Sequence, residues 1–393
     1  MTPLRGARAP RVLILDGFWN KALAGVRSLG RRGFFVGVGE GTRLTPAMFS
    51  RYCQRRFVHP SAVGPPQAFL AALEGELKIG GYDVLLPMEL STQLLVTAHR
   101  ERLAPWVRIP FADSAATHRV HDKGNVAAFA TERGIACPTT FFPQGPEDAA
   151  AMARELPYPV LVKPRHSSGG RGIVRVECAA DFAAAYARVH SRSAAPIVQE
   201  CLPPGGEALG VAVLMNFASE PKVSFAYRRL REFPVAGGPS TLRESIWNPG
   251  IQERAEQLLA SLGWTGVAMV EFKVDPRDGE PKLLEVNPRF WGSLHHAIVC
   301  GVDFPFLVYR LAMDGDVDRV GRYRIGVRSR SLFHGELMHF LASPNRFHLT
   351  PGLHDFSIPD DVLSADDPLP ILGRIASLVA LANDKERRAL ARS

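Results

Sequence analysis

The spacing of apolar and polar residues changes period several times along the chain. Residues 12–15 are an unbroken apolar run that stops at Asp16 and Gly17, predicting a buried strand over 11–16. A helical pattern follows to about Leu29, Gly30 and Gly33 punctuate it, and Phe34 to Gly39 reads as the next strand. Another strand is expected over 82–87, then Glu89 and a helix from about Ser91. This β-α-β opening predicts a doubly wound α/β domain. From Ser114 the pattern is helical as far as Gly134, with a short strand over 139–142. Ala-rich helices over 147–156 and 179–189 flank two strands, one ending at Lys163 and one beginning at Ile173. Further strands are expected near 197–200, 208–215, 221–228, 266–274 and 281–287, with a helix over 250–262 that stops at Gly263. Two last helices are expected near 333–342 and 370–391.

Chemistry concentrates where two of these strands meet. Over 281–287 alternation puts Leu283, Glu285 and Asn287 on one face, and Arg289 follows just past the Pro that ends the strand. Over 265–274 Glu271 and Lys273 share one face. The turn residues 275–279 between the two strands predict an antiparallel hairpin. Its fold brings Glu271 close to Glu285, within a residue or two of register. Two carboxylates and an amide at one spot repel without a cation, and hard oxygen ligands beside a guanidinium suit magnesium with a polyphosphate. A plain surface strand with a charged end is the competing reading. Upstream, residues 165–172 form a glycine-rich loop between two strands, containing Ser167, Ser168, Gly169 and Gly170. Such small residues let backbone N–H groups approach phosphates. No Gly-Lys-Ser/Thr follows, so it is not a P-loop, and no Gly-x-Gly-x-x-Gly dinucleotide turn occurs.

Taken in order, Asp122-Lys123, Val162-Lys163-Pro164, the loop 166–172, Gln199-Glu200-Cys201-Leu202, Glu271 and Glu285-x-Asn287-x-Arg289 resemble the ATP-grasp superfamily. The resemblance covers 118–315, and it implies an ATP-grasp fold, mixed α/β and α+β, behind a Rossmann-like domain. It divides the chain into a Rossmann-like 1–113, a small lid subdomain 114–195, a large subdomain 196–315 with the metal site, and an appendage 316–393. It implies ATP with two magnesium or manganese ions. Lys123 and Lys163 would contact the nucleotide, with Ser167, Ser168, Gly169 and Gly170 over its phosphates. Glu200, Leu202 and Glu207 would take its ribose and adenine side. Glu271, Glu285 and Asn287 would hold metal, and Arg289 and Lys163 would stabilise the phosphoryl group under attack. Cys201 stands where relatives often have an aromatic or apolar residue.

Within that superfamily the chain resembles carboxylate–amine ligases similar to D-aspartate ligases and to carbamoyl-phosphate-synthetase-like proteins. The resemblance then implies a small-molecule acid, an amine and an acyl phosphate between them. Residues 227–248 look like the loop beside the transferred phosphate, so Arg228, Arg231, Ser240, Thr241 and Arg243 are candidates for binding the substrate carboxylate. Pairing of these arginines with Glu232 or Glu244 is the alternative. Asp16 and Glu89 lie at the carboxyl ends of strands, where open α/β sheets bind ligands, though an N-cap or turn role fits them equally. His295 and His296 are open between an acceptor pocket and plain helix-start roles. A bicarbonate or hydroxyl acceptor, or a regulatory nucleotide-binding protein, remains an alternative to the ligase.

Composition narrows the rest. The chain has 393 residues, 46% hydrophobic, enough for a large core in several subdomains. The net charge is +8, but the basic residues are scattered and match no nucleic-acid motif, so anionic small molecules are the expected partners. Five scattered cysteines form no Cys-x-x-Cys, disfavouring a zinc site or disulfide framework. No apolar run is long enough to span a membrane, and the first ten residues lack the apolar core of a signal peptide. A cytoplasmic protein is therefore expected, with a homodimer the common arrangement among similar ligases.

Overall fold

A computed structural model describes residues 8–62, 65–167, 169–235 and 237–383. Among the described residues fourteen strands form three sheets. The first contains β1 (Arg11–Ile14), β2 (Phe35–Glu40), β3 (Cys53–Val58) and β4 (Val84–Leu86), all parallel in the order β3-β2-β1-β4. The second contains β5 (Thr140–Phe141), β6 (Val160–Lys163), β7 (Val174–Val176) and β8 (Ile197–Glu200), antiparallel in the order β5-β8-β6-β7. The third and largest contains β9 (Ala208–Met215), β10 (Pro221–Glu232), β11 (Ser240–Ile246), β12 (Gly266–Val274), β13 (Pro281–Asn287) and β14 (Arg328–Arg330). Its order is β13-β12-β9-β10-β11-β14, antiparallel throughout.

Alternation decides what each face of the large sheet meets. Leu209, Val211, Val213, Val270 and Phe272 point to one side and pack under the helix Pro249–Ser261 through Ile251, Ala255, Leu258 and Leu259. Ala212, Leu214, Phe225, Tyr227 and Met269 point to the other and join one continuous core with the parallel sheet. That second face also carries Glu271 and Glu285, so the polar residues of the hairpin sit at the edge of the main core. The small sheet has its own core, where Val160, Val162 and Val198 meet Phe182 and Tyr186 of the helix Ala179–His190.

The structure corrects several expectations. Residues 240–246, expected as a loop, are β11 in the large sheet, and β10 runs on to Glu232. Strand β3 and the helix Pro66–Gly80 were not anticipated. The final residues pair and bury: β14 covers the edge of β11, and Asp360, Asp361 and Asp367 are buried. The last helix, Pro370–Asn383, packs on the short helix Pro46–Phe49 of the parallel sheet's layer. Among the described residues no helix is long and apolar enough to cross a membrane.

Candidate active site

The hairpin register sets Glu271 directly opposite Glu285. Directly opposed residues share a face, so both carboxylates point the same way. Asn287, two residues on, donates Nδ2 to Glu271 Oε1 at 3.1 Å and to Glu285 Oε1 at 3.0 Å. Lys123 Nζ lies 3.0 Å from Glu285 Oε2, and Arg229 Nη2 lies 2.5 Å from Glu271 Oε2. Lys163 is buried at the end of β6 and donates to Gln199 Oε1 at 2.5 Å. Burial lowers its pKa to about 8, with Lys123 adding repulsion against the opposing pull of Glu285. The two acids are driven apart in the same way. Burial opposes ionisation of Glu285, but Lys123 and Lys163 outweigh it and hold this carboxyl below the usual range. For Glu271, burial and then the neighbouring Glu285 prevail over Arg229 and push the carboxyl up.

The glycine-rich loop lies against this cluster. Lys123 Nζ donates to the Ser167 carbonyl, and Lys123 N donates to Arg165 O at 3.1 Å. Asp122 caps the helix Lys123–Glu132 through the N–H groups of Gly124 and Asn125, and also receives Arg165 Nε at 2.9 Å. One short segment therefore holds both Lys123 and the root of the loop. Gly169 and Gly170 have φ of 65° and 74°, which side chains resist. A Cβ on Gly170 would sit 3.7 Å from Gly237 O, so the loop runs close to the β10–β11 connection. Ser168 lies outside the described residues. His121 lies in the field of Lys123, Glu285 and Arg289. Burial, then Lys123, lowers its pKa to about 4, leaving a neutral imidazole at pH 7. At the rim, Glu200 pairs with Arg277 at 2.5 Å, Glu207 pairs with Arg228 at 2.8 Å, and Leu202 is buried.

The parallel sheet closes the other side. Its order reverses at β1, leaving a crevice between the ends of β1 and β4, where such sheets bind ligands. Asp16, just after β1, accepts from the N–H groups of Met88 (2.9 Å) and Glu89 (2.7 Å) and from Thr92 Oγ1 (2.7 Å). Burial, then Glu89, raises its pKa to about 6. Asp16 thus shapes the turn that presents Glu89. Glu89 is bound by Lys21 Nζ at 2.6 Å, and Lys21 also donates to Phe290 O at 3.1 Å. Arg289 donates to the same carbonyl at 2.9 Å, and Arg171 of the glycine-rich loop lies in the field of Glu89 and Arg289. Glu89 and Arg289 therefore meet at a junction of all three sheets.

Five expected substrate residues have other partners. Arg228 is held by Glu207 and by Glu244, the latter at 2.6 Å. Arg231 is buried on Glu336 at 2.6 Å, and Thr241 donates to the same carboxylate at 2.6 Å. Arg243 is buried on Asp361 and Ser329, and Ser240 donates to Leu242 O at 3.3 Å. The physical reason is that β10 and β11 are paired, covered strands: Arg231, Thr241 and Arg243 meet Glu336 and Asp361 of the last sixty residues, and Arg228 meets Glu244 across the pair. His295 and His296 are both neutral, pushed down by burial and then by Arg243, and His296 is fully buried beside Ser329. Arg229, Lys21 and His121 were missed, and Gln199 was quoted in a motif without the role of holding Lys163. Arg229 carried a signal, because Tyr227 and Arg229 are two apart on one strand face, yet only the register shows that face to be the one bearing Glu271.

Among the described residues no group of three or more His, Cys, Asp or Glu side chains gathers to hold a metal. The available set is two carboxylates and the Asn287 amide, whose Nδ2 faces both acids and whose oxygen would have to turn toward them to hold a cation. Those hard oxygens fit magnesium, which keeps several waters and takes further ligands from phosphates. Each carboxylate already has a basic partner, Lys123 on Glu285 and Arg229 on Glu271, so a cation bound there would compete with those bases.

Residues 122–202 match the family described as carbamoyl-phosphate synthase L chain, ATP binding domain. Residues 213–332 match ATP-grasp in the biosynthetic pathway with Ter operon. A mitochondrial acetyl-CoA carboxylase of Saccharomyces cerevisiae is 26% identical over 176 residues, 43% of this chain and 8% of that protein. The chain thus spans less than a tenth of that relative's length. A biotin carboxylase from Campylobacter jejuni, solved with β,γ-ATP, superposes with a TM-score of 0.66 at 16% identity, covering 81% of this chain and 74% of that one. An L-amino acid ligase from Bacillus licheniformis gives 0.57 at 18% identity, covering 78% and 75%. The two matches and the shared fold agree on an ATP-grasp domain within residues 122–332.

Proposed function

We propose that the protein is an ATP-dependent carboxylate–amine ligase using magnesium or manganese. The observation that carries this reading is the convergence of Glu271, Glu285 and Asn287 with Lys123, Lys163 and Arg289. Three basic side chains around an oxygen-rich metal set suit a triphosphate and its metal better than any other common ligand. Lys123 and Lys163 would bind the phosphates, with the backbone of Ser167, Gly169 and Gly170 above them. Leu202 would line the adenine pocket and Glu200 would take the ribose side, with Glu207 at the rim. Bound to Glu271, Glu285 and Asn287, the metal would offset charge on the phosphates.

A substrate carboxylate oxygen would attack the γ-phosphorus with loss of ADP, giving an acyl phosphate. An amine would then attack the acyl carbon, phosphate would leave, and the nitrogen would lose a proton to solvent. Arg289 and Lys163 would neutralise the oxygens of the phosphoryl group as it passes between partners. The crevice beside Glu89 and Arg289 is our choice for the acid substrate, with Arg289 attracting its carboxylate and Glu89, held by Lys21, forming the wall. The likeness to carboxylases favours a second reading in which bicarbonate is the acid.

The deciding experiment supplies magnesium-ATP with pooled carboxylic acids and amines, follows ADP and phosphate, and identifies products by mass spectrometry. Release that needs both an acid and an amine, with a product one water lighter than their sum, supports the ligase. Release with bicarbonate alone moves the protein to the carboxylases. Tight ATP binding without turnover in any pool counts against both enzymes.

A further inference from the structure

Arg229 has no part in the scheme above, yet it is the basic side chain that pairs with Glu271. It starts on β10, two strands from Glu271 on β12, with β9 between them. Glu271 and Tyr227 both pair with Gly210, so these residues form one row on one face. Arg229 lies two residues beyond Tyr227 and shares that face. The crossing needs little bulk on β9, and there the face carries Gly210 and Ala208. A Cβ on Gly210 would fall 2.5 Å from the Tyr227 ring. Arg229 is only 13% exposed and Glu271 15%. Its Nη2 meets Glu271, its Nη1 meets Glu232 Oε1 at 3.2 Å and Gly238 O at 3.4 Å, and its Nε is buried with no hydrogen-bond partner. A half-satisfied buried guanidinium is a costly arrangement if it served stability alone. It also joins a metal-ligating carboxylate to the connection that lies against Gly170.

We propose that Arg229 is a resident counter-ion that occupies Glu271 until a divalent cation takes that carboxylate, and that its release frees Glu232 and Gly238 at the two ends of the β10–β11 connection beside the glycine-rich loop. Metal loading and the state of that connection are then one event. Arg229 is a positioning residue in this account. The inference rests on Glu271 being a metal ligand, and its test separates the two ideas.

The probe is Mn2+ alone, titrated into the full chain without nucleotide and followed by electron paramagnetic resonance of the free ion. Arg229→Met removes the competing charge at similar volume, so Mn2+ should bind roughly tenfold or more tightly than to wild type. Arg229→Lys keeps the charge and should bind like wild type. In wild type, Mn2+ should speed amide hydrogen exchange over 232–239, a readout that needs no variant to fold. Unchanged or weaker Mn2+ binding by a folded Arg229→Met chain overturns the proposal, as does exchange over 232–239 that ignores Mn2+. Glu285→Ala distinguishes the failures. If that variant binds Mn2+ as wild type does, the metal assignment falls and this proposal with it. If binding needs Glu285 but ignores Arg229, only this proposal falls.

Discussion

At the scale of single residues, the site puts charge where folding alone would not. Glu285 faces Glu271 and is kept ionised by two lysines. Glu285→Ala should lower ADP release at least about a hundredfold, as expected for loss of a metal ligand. Stability should change by less than about 2 kcal/mol, because the lost pair with Lys123 is offset by relief of the carboxylate repulsion. Turnover assays and urea melts check both parts, and full activity in this variant would remove the metal assignment. Lys163 gives a pH-dependent prediction. Its native pKa is about 8 against 10.5 for a free lysine, with burial the main cause. Between those values the unfolded chain binds the proton and the native chain does not, so wild-type stability should rise with pH across that window. Lys163→Met should therefore stabilise the nucleotide-free protein by about 1–3 kcal/mol below pH 8 while abolishing turnover. The gain should shrink as pH climbs from 8 toward 10.5 in denaturant melts, and a gain that is flat with pH would contradict it. Glu271, Glu285 and Asn287 were legible in the sequence because alternation within one hairpin is local, although a bulge at Leu284 turns Leu283, expected on their face, to the opposite side beside Phe272. Arg229 and Lys21 were not, since each meets its acid through a neighbour that only the assembled sheets supply.

At the scale of elements, strands with a clean period were read to within a residue or two, as β9, β12 and β13 illustrate. Strand β11 was misread because Gly237, Gly238 and Pro239 before it look like the start of a longer loop, and because Thr241, Arg243 and Ser245 give it a polar rhythm. That rhythm is a buried one: Thr241, Arg243 and Ser245 are at most 3% exposed, each meeting a polar group from the last seventy residues. Polar residues predict exposure only until their partners are known. The glycine-rich loop was found from composition, and its geometry sets a requirement. With φ at 74°, Gly170→Ala costs about 1 kcal/mol of local strain. The loop is exposed, so global stability should barely move, and the strain should appear as a several-fold rise in the KM for ATP. Steady-state kinetics beside a thermal melt separate the two. A large drop in melting temperature with unchanged KM would mean that the loop is a structural turn only.

At the scale of the whole molecule, the last residues decide how the sheets hold together. Asp367 is buried and accepts Arg27 Nε at 2.9 Å, Ser50 Oγ at 2.7 Å and Arg51 N at 2.9 Å. Arg27 also donates to the carbonyls of Val362 and Asp367. Further on, Arg374 bonds Phe18 O and Asn20, and on the other side Asp361 and Glu336 take Arg243 and Arg231 of the large sheet. The segment from 331 to 374 thus ties the parallel sheet to the large sheet, on whose junction Glu89 and Arg289 depend. Nothing local in the sequence announces this, because Arg27 and Asp367 are 340 residues apart and both look like ordinary charged residues. Asp367→Ala should remove about 3–5 kcal/mol, since Arg27 would be left charged and unpaired in the core. Combining it with Arg27→Met removes that stranded charge and should recover much of the loss, although neither change touches the hairpin acids or the lysines. Urea denaturation of both variants measures the effect, with nucleotide binding as the second readout. If Asp367→Ala matches wild type in stability, the pair is not a tie. If the double variant is as weak as the single one, the clamp works through the backbone contacts of 361–367 and not through the charge.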